Sequence, residues 1–275
     1  MRRTWARAAC FRPAPSGIPR ARFGELLEEL APQWQAAHES ALRERHRGDR
    51  RRAAGAGRKQ QLVFTNRVVV TLVHLRLGLP HAALPELFEV DRSTVSGAIR
   101  KVRPLLGARG FAVPDRPGVR LHTVEDLFAY ADAEGVDLRI DGTEVQVRRP
   151  GAGRPGLKAF VSGKKRQNTI KTTAFSHARG RTLFSGVVRL GCMHDQTAVR
   201  TEGIAEQLRQ YPKVMVEVDE GYRGLTNECP DQVSAPPQKP KADAPLGEHH
   251  AWHERRRRQS SQRICVEHTN AEHKQ

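Results

Sequence analysis

Three acidic residues have the types and positions that phosphodiester chemistry requires. Asp141 lies in the alternating segment IDGTEV, Asp219 ends the apolar run VMVEVD, and Glu267 lies in the helical segment RICVEH. Two aspartates on adjacent strands and a glutamate on a covering helix can converge on one point. Converging carboxylates raise one another's pKa, and a divalent cation with a preference for hard oxygen ligands removes that cost. The sequence therefore predicts a Mg²⁺ or Mn²⁺ site that acts on a phosphodiester.

Asp195, in the segment MHDQT, is an alternative for the second acid. Its position directly before a predicted helix favours an N-cap role instead. Asp219 is the preferred candidate because it ends a buried strand, and both assignments stay open at this point.

The net charge points to a polyanionic partner. Lys and Arg number 47 against 30 Asp and Glu, which gives a formal charge of +17 and an isoelectric point near 10.6. This balance excludes an ordinary acidic metabolic enzyme as the default and favours a polyanionic partner, which is nucleic acid or an anionic membrane surface. Aromatic residues make up only 5% of the chain, which argues against a surface built on stacked single-stranded bases.

The elements that must position the acids follow from the hydrophobic period, which changes from helical to alternating near residue 136. The predicted elements are helices at 23–42, 65–77 and 123–134, strands at 136–147, 157–161, 167–175 and 181–190, a helix at 196–210, strands at 214–219 and 232–235, and a helix at 246–274. This order predicts an α/β fold with a mixed sheet and flanking helices, preceded by an all-α region.

A helix-turn-helix is predicted within residues 61–106, although an ordinary helical hairpin is an alternative. Asp91 is expected to cap the second helix through its side chain, and Glu89 stands where Gly usually permits the turn. Val95, Ile99 and Val102 form the inward stripe. The candidate DNA-contacting residues on the second helix are Arg92, Ser93, Thr94, Ser96, Arg100 and Lys101.

The remaining segments complete the predicted organisation. Residues 1–60 are interpreted as a basic arm and linker, 107–135 as a connector, and 136–275 as the catalytic domain. The four cysteines are scattered, no apolar run reaches the length of a membrane span, and no secretory signal is recognised. We therefore expect a cytoplasmic protein that associates with the nucleoid through DNA and not with a membrane.

Four sequence blocks resemble those of a known family. They are IDGTEVQVRRP, GCMHDQTAVR, VEVDEGYRG and RICVEHTNAEHK, and together they are similar to the successive blocks of DDE-superfamily insertion-sequence transposases. The similarity is greatest to the insertion-sequence-five and Harbinger-like branch. It covers about half of the chain, from residue 135 onward, and it implies a ribonuclease-H-like catalytic domain after the helix-turn-helix.

The resemblance also implies site residues and partners. The catalytic and metal-binding triad would be Asp141, Asp219 and Glu267, and Arg263 and Lys274 match the basic positions that hold DNA near the cut. The implied partners are double-stranded DNA, as terminal inverted repeats and as target, and further copies of the chain assembled on it. The activity would be metal-dependent cleavage and strand transfer.

Two alternatives to an active transposase stay open. Relatives continue further after the glutamate than this sequence does, so we expect a C-terminally incomplete copy. Such a copy could act only as a DNA-binding protein without catalysis. A general nucleic-acid-coating protein is a further alternative, but it leaves the acids at the strand ends unexplained.

Overall fold

The structure is a computed structural model. It describes residues 7–48, 60–113, 116, 118–149, 151, 156–177 and 179–273, and for 262–273 it describes the backbone alone. The chain divides into two compact units, 1–110 and 111–275. Each unit has its own hydrophobic core, and each is considered by itself below.

The first unit is helical. Its helices are α1 (Pro13–Ser16), α2 (Arg20–His46), α3 (Phe64–Leu77), α4 (Leu84–Phe88) and α5 (Arg92–Ala108). The core includes Leu30 of α2, Val69 of α3 and Phe88 of α4, all of them buried. Helix α2 therefore belongs to the packed unit, although it lies within the segment that the sequence suggested was an arm and linker.

The helix-turn-helix consists of α4, a three-residue turn and α5. Glu89 closes α4 with φ 53° and ψ 47°, the left-handed conformation that glycine adopts most easily. Helix α5 buries Val95, Ile99 and Val102, which confirms the predicted inward stripe. Asp91 occupies the N-cap position with extended backbone, but its side chain makes no capping hydrogen bond, so that part of the prediction is wrong. The amide groups of Thr94 and Val95 bond to its backbone carbonyl instead.

A short ribbon and a helix open the second unit. Strands β1 (Phe111–Ala112) and β2 (Arg120–Leu121) are antiparallel, and α6 (Val124–Glu134) follows with a capping box between Thr123 and Asp126. Leu127 and Phe128 of α6 are fully buried in the core of this unit. The segment predicted as a connector is thus part of the second unit from residue 111 onward, whereas 107–110 belong to the first unit.

The main sheet of the second unit is mixed. Its strands are β3 (Leu138–Gln146), β4 (Thr169–His177), β5 (Thr182–Ser185), β6 (Arg189–Leu190), β7 (Val216–Val218) and β8 (Val233–Ser234). The order is β5-β4-β3-β7-β8, and β6 pairs with β4 outside this path. Strands β3, β4 and β5 are antiparallel neighbours, whereas β3, β7 and β8 run parallel. This arrangement confirms the predicted ribonuclease-H-like α/β sheet.

The helices of the second unit flank the sheet. Besides α6, they are α7 (Asp195–Thr201), α8 (Ile204–Gln210), α9 (Leu225–Glu228) and α10 (Leu246–His273). The helix predicted at 196–210 is two helices because Gly203 adopts φ 68° and breaks the chain direction between them.

Two predicted strands differ from the structure. The segment 157–161 forms a 3₁₀ turn at Leu157–Phe160, which begins after Gly156 in the left-handed conformation. The segment 181–190 is divided into β5 and β6, because the intervening residues 186–188 do not pair with β4 in a regular ladder. Across the described residues, no helix is both long enough and apolar enough to cross a membrane.

Candidate active site and nucleic-acid interface

Two of the predicted acids directly follow the paired residues of two adjacent parallel strands. Strands β3 and β7 pair in the register Leu138 with Val216 and Ile140 with Val218. Asp141 is the next residue of β3 after this paired stretch, and Asp219 is the residue that directly follows β7. Asp219 has φ −82° and ψ 168°, so its backbone continues the extended direction of β7. Because paired strands lie about 4.8 Å apart, these two residues are neighbours across the sheet.

The two aspartates also share one face of the sheet. Arg139 and Glu217 stand two residues earlier on the same strands, and the Arg139 Nε donates to Glu217 Oε2 at 2.8 Å. Side chains in a strand return to the same face every second residue. Asp141 and Asp219 therefore lie on the face that carries this ion pair.

Each of these carboxylates is oriented by the next backbone amide. The N–H of Gly142 donates to Asp141 Oδ1 at 2.9 Å, and the N–H of Glu220 donates to Asp219 Oδ1 at 2.7 Å. Both side chains are half-buried. The local geometry thus fixes one oxygen of each acid in the same manner, which limits the freedom of both carboxylates before any ligand binds.

Helix α10 runs beside this face. A cleft of about 710 Å³ is lined by Asp219 together with Trp252, Arg256 and Gln259 of the helix. Trp252 is 5% exposed, and its Nε1 donates to the Pro237 carbonyl at 3.0 Å. This contact anchors the N-terminal part of α10 to the loop after β8.

A second cleft lies between α10 and the N-terminal ends of β3 and β7. It has a volume of about 690 Å³, and it is lined by Arg139 and Glu217 together with Arg255 and Arg258 of α10. Two of the four consecutive arginines at 255–258 therefore border the face that carries the two aspartates.

Asp195 lies on the opposite face of the sheet. Its Oδ1 is 3.3 Å from Lys171 Nζ, and Lys171 stands opposite Glu144 in the β3–β4 ladder. Glu144 is three residues from Asp141, so the two point to different faces. The N-cap of α7 is His194, whose Nδ1 accepts from the Gln196 amide at 3.3 Å, so the predicted N-cap role of Asp195 is wrong.

Tyr222 is a residue of this region whose position the sequence did not indicate. Its side chain is buried, and a Cβ built on Gly142 would be 3.0 Å from its hydroxyl oxygen. Burial raises the pKa of Tyr222 far above its ordinary value, and the charges of Asp195 and Asp141 raise it further. The neutral phenol therefore packs under the residue that follows Asp141, and the only signal in the sequence is its place in VDEGYRG.

Three further predicted residues belong to the C-terminal end of the sequence. Glu267 and Arg263 lie within the backbone of α10, but their side chains fall outside the described part of the chain, and so does Lys274. Within the described ranges, no group of three His, Cys, Asp or Glu residues could hold a metal ion. A three-carboxylate set would need the side chain of Glu267.

The predicted DNA-contacting residues of α5 fall into two groups. Arg92, Ser93, Arg100 and Lys101 are exposed. Thr94 and Ser96 are half-buried and engaged within the protein. Thr94 Oγ1 donates to Gln61 Oε1 at 2.8 Å, and Ser96 Oγ is 3.0 Å from His81 Nδ1.

Comparisons with known proteins agree with these two regions. The family described as DDE superfamily endonuclease matches residues 140–275, and the helix-turn-helix of DDE superfamily endonuclease matches residues 60–112. The chain belongs to the DDE superfamily of endonucleases. Its resemblance to the insertion-sequence transposases of that superfamily is confirmed, and its helix-turn-helix is a DNA-binding region.

One curated relative of this DDE endonuclease is similar along most of both chains. It is the "Probable transposase for insertion sequence element IS702" of Microchaete diplosiphon, which is 24% identical over 225 residues. The similarity covers 82% of this chain and 74% of the relative. No solved structure matches the chain significantly. The DDE superfamily uses divalent metal ions, and Asp141, Asp219 and Glu267 all lie within the matched range of its endonuclease domain.

Proposed function

We propose that this DDE endonuclease binds the ends of an insertion sequence and catalyses metal-dependent cleavage and strand transfer of DNA. The observation that carries the proposal is the pair Asp141 and Asp219, adjacent on parallel strands and on one face of the sheet. Two carboxylates so close together repel each other unless a cation or a proton lies between them.

The donor set of this pair fits a hard divalent cation. Carboxylate oxygens suit Mg²⁺ or Mn²⁺, and each acid already has one oxygen fixed by a backbone amide. We propose that Asp141, Asp219 and Glu267 hold the metal, with Glu267 supplied by α10. When bound, such a cation would supply positive charge at the phosphodiester and lower the pKa of water.

The chain's own residues would bind and orient the DNA. Arg256 lines the cleft beside Asp219, and its guanidinium carbon is 5.1 Å from the centre of the Trp252 ring, so a cation is held next to the acids. We propose that Arg263 and Lys274 also contact DNA near the cut. The exposed side chains of α5 would bind the terminal inverted repeats.

Asp141 and Asp195 lie on opposite faces of the sheet, so substituting each acid in turn tests which face carries the site. We expect Asp141→Asn and Asp219→Asn to abolish cleavage of a labelled duplex that carries an element end, in either Mg²⁺ or Mn²⁺, while binding of that duplex is retained. Asp195→Asn is the matched control, because it removes the carboxylate of the first residue of α7, which lies on the other face of the sheet, and it should keep cleavage. Unchanged cleavage in Asp141→Asn, or complete loss in Asp195→Asn alone, would reject this assignment.

The same assay separates an active enzyme from a protein that only binds DNA. If the wild-type chain binds the element end tightly and yet produces no nick with either metal, the catalytic part of the proposal fails and DNA binding alone remains. Strand transfer products joined to a target plasmid would support the full activity.

We further propose that copies of the chain assemble on DNA. An insertion sequence has two ends, and one helix-turn-helix unit can engage one end at a time, so bringing two ends together requires at least two chains. Mass measurement of the complex on a duplex with a single end and on one with paired ends tests this. A stoichiometry of one chain per two-ended DNA would contradict it.

A further inference from the structure

One side of α5 carries a cluster of basic residues from three helices. Lys101 and Arg100 belong to α5, Arg67 to α3, and Arg45 lies near the end of α2. Burial lowers the pKa of Lys101, and the nearby positive charges of Arg67, Arg45 and Arg100 lower it further. Among the described residues, none of these four side chains forms an ion pair with a carboxylate. The cluster therefore repels itself in the free protein.

Arg67 is held in a fixed orientation within this cluster. Its Nε donates to the Leu62 carbonyl at 2.9 Å, and its Nη2 donates to Gln60 Oε1 at 2.9 Å. Its guanidinium carbon is 5.4 Å from the centre of the Trp34 ring, within the range of a cation–π contact. The side chain has therefore lost much of its rotamer entropy already, which reduces the cost of binding an anion.

The cluster continues along α5 toward the start of the helix. Thr94 and Lys101 are seven residues apart, so they lie on the same side of the helix two turns apart. Thr94 is hydrogen-bonded to Gln61, which is the neighbour of the Gln60 that holds Arg67. The short segment 60–61 thus connects Arg67 with the N-terminal end of α5 on this side.

The adjacent side of α5 is open for close approach. Gly97 lies half-way between Thr94 and Arg100, and a Cβ built on it would have no atom within 4 Å. Nothing within the unit requires glycine there, and glycine costs about 1 kcal/mol relative to alanine inside a helix. The backbone of α5 is therefore open to the close approach of another surface at this position.

We propose that Arg45, Arg67 and Lys101 bind backbone phosphates of DNA beside the groove that α5 enters. Phosphate is the partner that relieves the mutual repulsion of the cluster, and the guanidinium of Arg67 is already held in one orientation by its hydrogen bonds to Leu62 and Gln60. Thr94 would position the segment 60–61 and not read a base, whereas Arg92, Ser93 and Arg100 would face the base edges. This inference rests on the proposed DNA binding of the helix-turn-helix.

The test is the salt dependence of DNA binding by the full chain. Affinity is measured by fluorescence anisotropy over a range of salt concentrations, for a duplex with the element end and for an unrelated duplex of equal length. Each of Arg45→Gln, Arg67→Gln and Lys101→Gln should lower the slope of log K against log salt by about 0.9. Affinity for both duplexes should fall by the same factor, because a phosphate contact carries no sequence information.

Two further variants keep the result interpretable. Arg20→Gln is the matched control, since Arg20 is exposed and lies at the other end of α2, about 38 Å of helix from Arg45. It should leave the slope unchanged. Arg67→Lys keeps the charge and should keep the slope even if the hydrogen bonds to Leu62 and Gln60 are lost. Thermal unfolding of each variant confirms that the unit is folded.

The outcomes separate this inference from the proposed function. If the wild-type chain binds neither duplex, the proposed function fails. If it binds but folded Lys101→Gln and Arg67→Gln keep the wild-type slope, the phosphate cluster is refuted while DNA binding stands. If these variants instead change the ratio of affinities for the two duplexes, the residues contact bases, and the phosphate assignment is also overturned.

Discussion

Replacing Gly142 by alanine tests the packing beneath the first acid. A Cβ at this position would lie 3.0 Å from the Tyr222 hydroxyl oxygen and 3.6 and 3.7 Å from two ring carbons. Favourable heavy-atom contacts lie at about 3.5 Å or more, so the hydroxyl or the strand must move by about 0.5 Å. Tyr222 is 3% exposed and has little space into which it can retreat. The strain therefore falls on the backbone that carries Asp141.

The expected magnitude follows from two opposing effects. Overpacking a filled site costs about 1–3 kcal/mol, and replacing a strand glycine by alanine gains about 0.5–1 kcal/mol of backbone entropy. The net loss of stability is therefore between about 0 and 2.5 kcal/mol. For a unit of this size, each kcal/mol lowers Tm by about 2–4 °C.

A double-mutant cycle with Tyr222→Phe identifies the contact. Phenylalanine removes the oxygen at 3.0 Å and leaves only the ordinary contacts at 3.6 and 3.7 Å. The penalty of Gly142→Ala should therefore shrink by at least about 0.5 kcal/mol in the Tyr222→Phe background. Cleavage of element ends should follow the same pattern, because relief of the strand returns Asp141 to its position.

Thermal and urea unfolding of the four proteins provide the measurement. Gly163→Ala is the control in the same unit, since a Cβ there would meet nothing within 4 Å, and it should not destabilise the protein. Strictly additive losses for Gly142→Ala and Tyr222→Phe would refute the reasoning.

Three other predictions concern the turn, the long helix and a buried acid. Glu89→Gly should stabilise the first unit by about 0.5–1 kcal/mol, because glycine adopts φ 53° without the steric cost of a Cβ; a lower Tm would contradict this. Trp252→Ala should lower the free energy of unfolding by about 3–5 kcal/mol. Because it detaches α10 from Pro237, it should weaken cleavage more than DNA binding, and equal losses of both activities would speak against an anchoring role. Burial raises the pKa of Glu202, whose side chain is 2% exposed, above the ordinary value of 4.5, although Arg189 lies 3.4 Å away. The folded state then holds this proton more tightly than the unfolded state, so the free energy of unfolding should decrease as pH rises from about 4.5 through the folded pKa. Glu202→Gln should remove this contribution in urea titrations at successive pH values, and a wild-type-minus-variant difference in the free energy of unfolding that does not fall over this range would be inconsistent with the assigned direction.

Local patterns in the sequence were sufficient for the elements that carry the site. The alternation in IDGTEV placed Asp141 on a strand, the apolar run placed Asp219 at the end of another, and the inward stripe of α5 followed from the helical period. These features depend on neighbouring residues alone, because backbone geometry makes side chains repeat every two residues in a strand and about every 3.6 in a helix. The 3₁₀ turn at Leu157–Phe160 and the break at Gly203 escaped that reasoning, since both depend on single glycines with positive φ.

The three-dimensional fold decided what lies next to what. Strand order and register brought Asp141 beside Asp219 and put Asp195 behind the sheet with Lys171, a distinction that spacing along the chain could not make. The same holds for Tyr222 under Gly142 and for the basic cluster drawn from three helices. These proximities join residues far apart in sequence, and they arise from burying two hydrophobic cores, which no local period encodes.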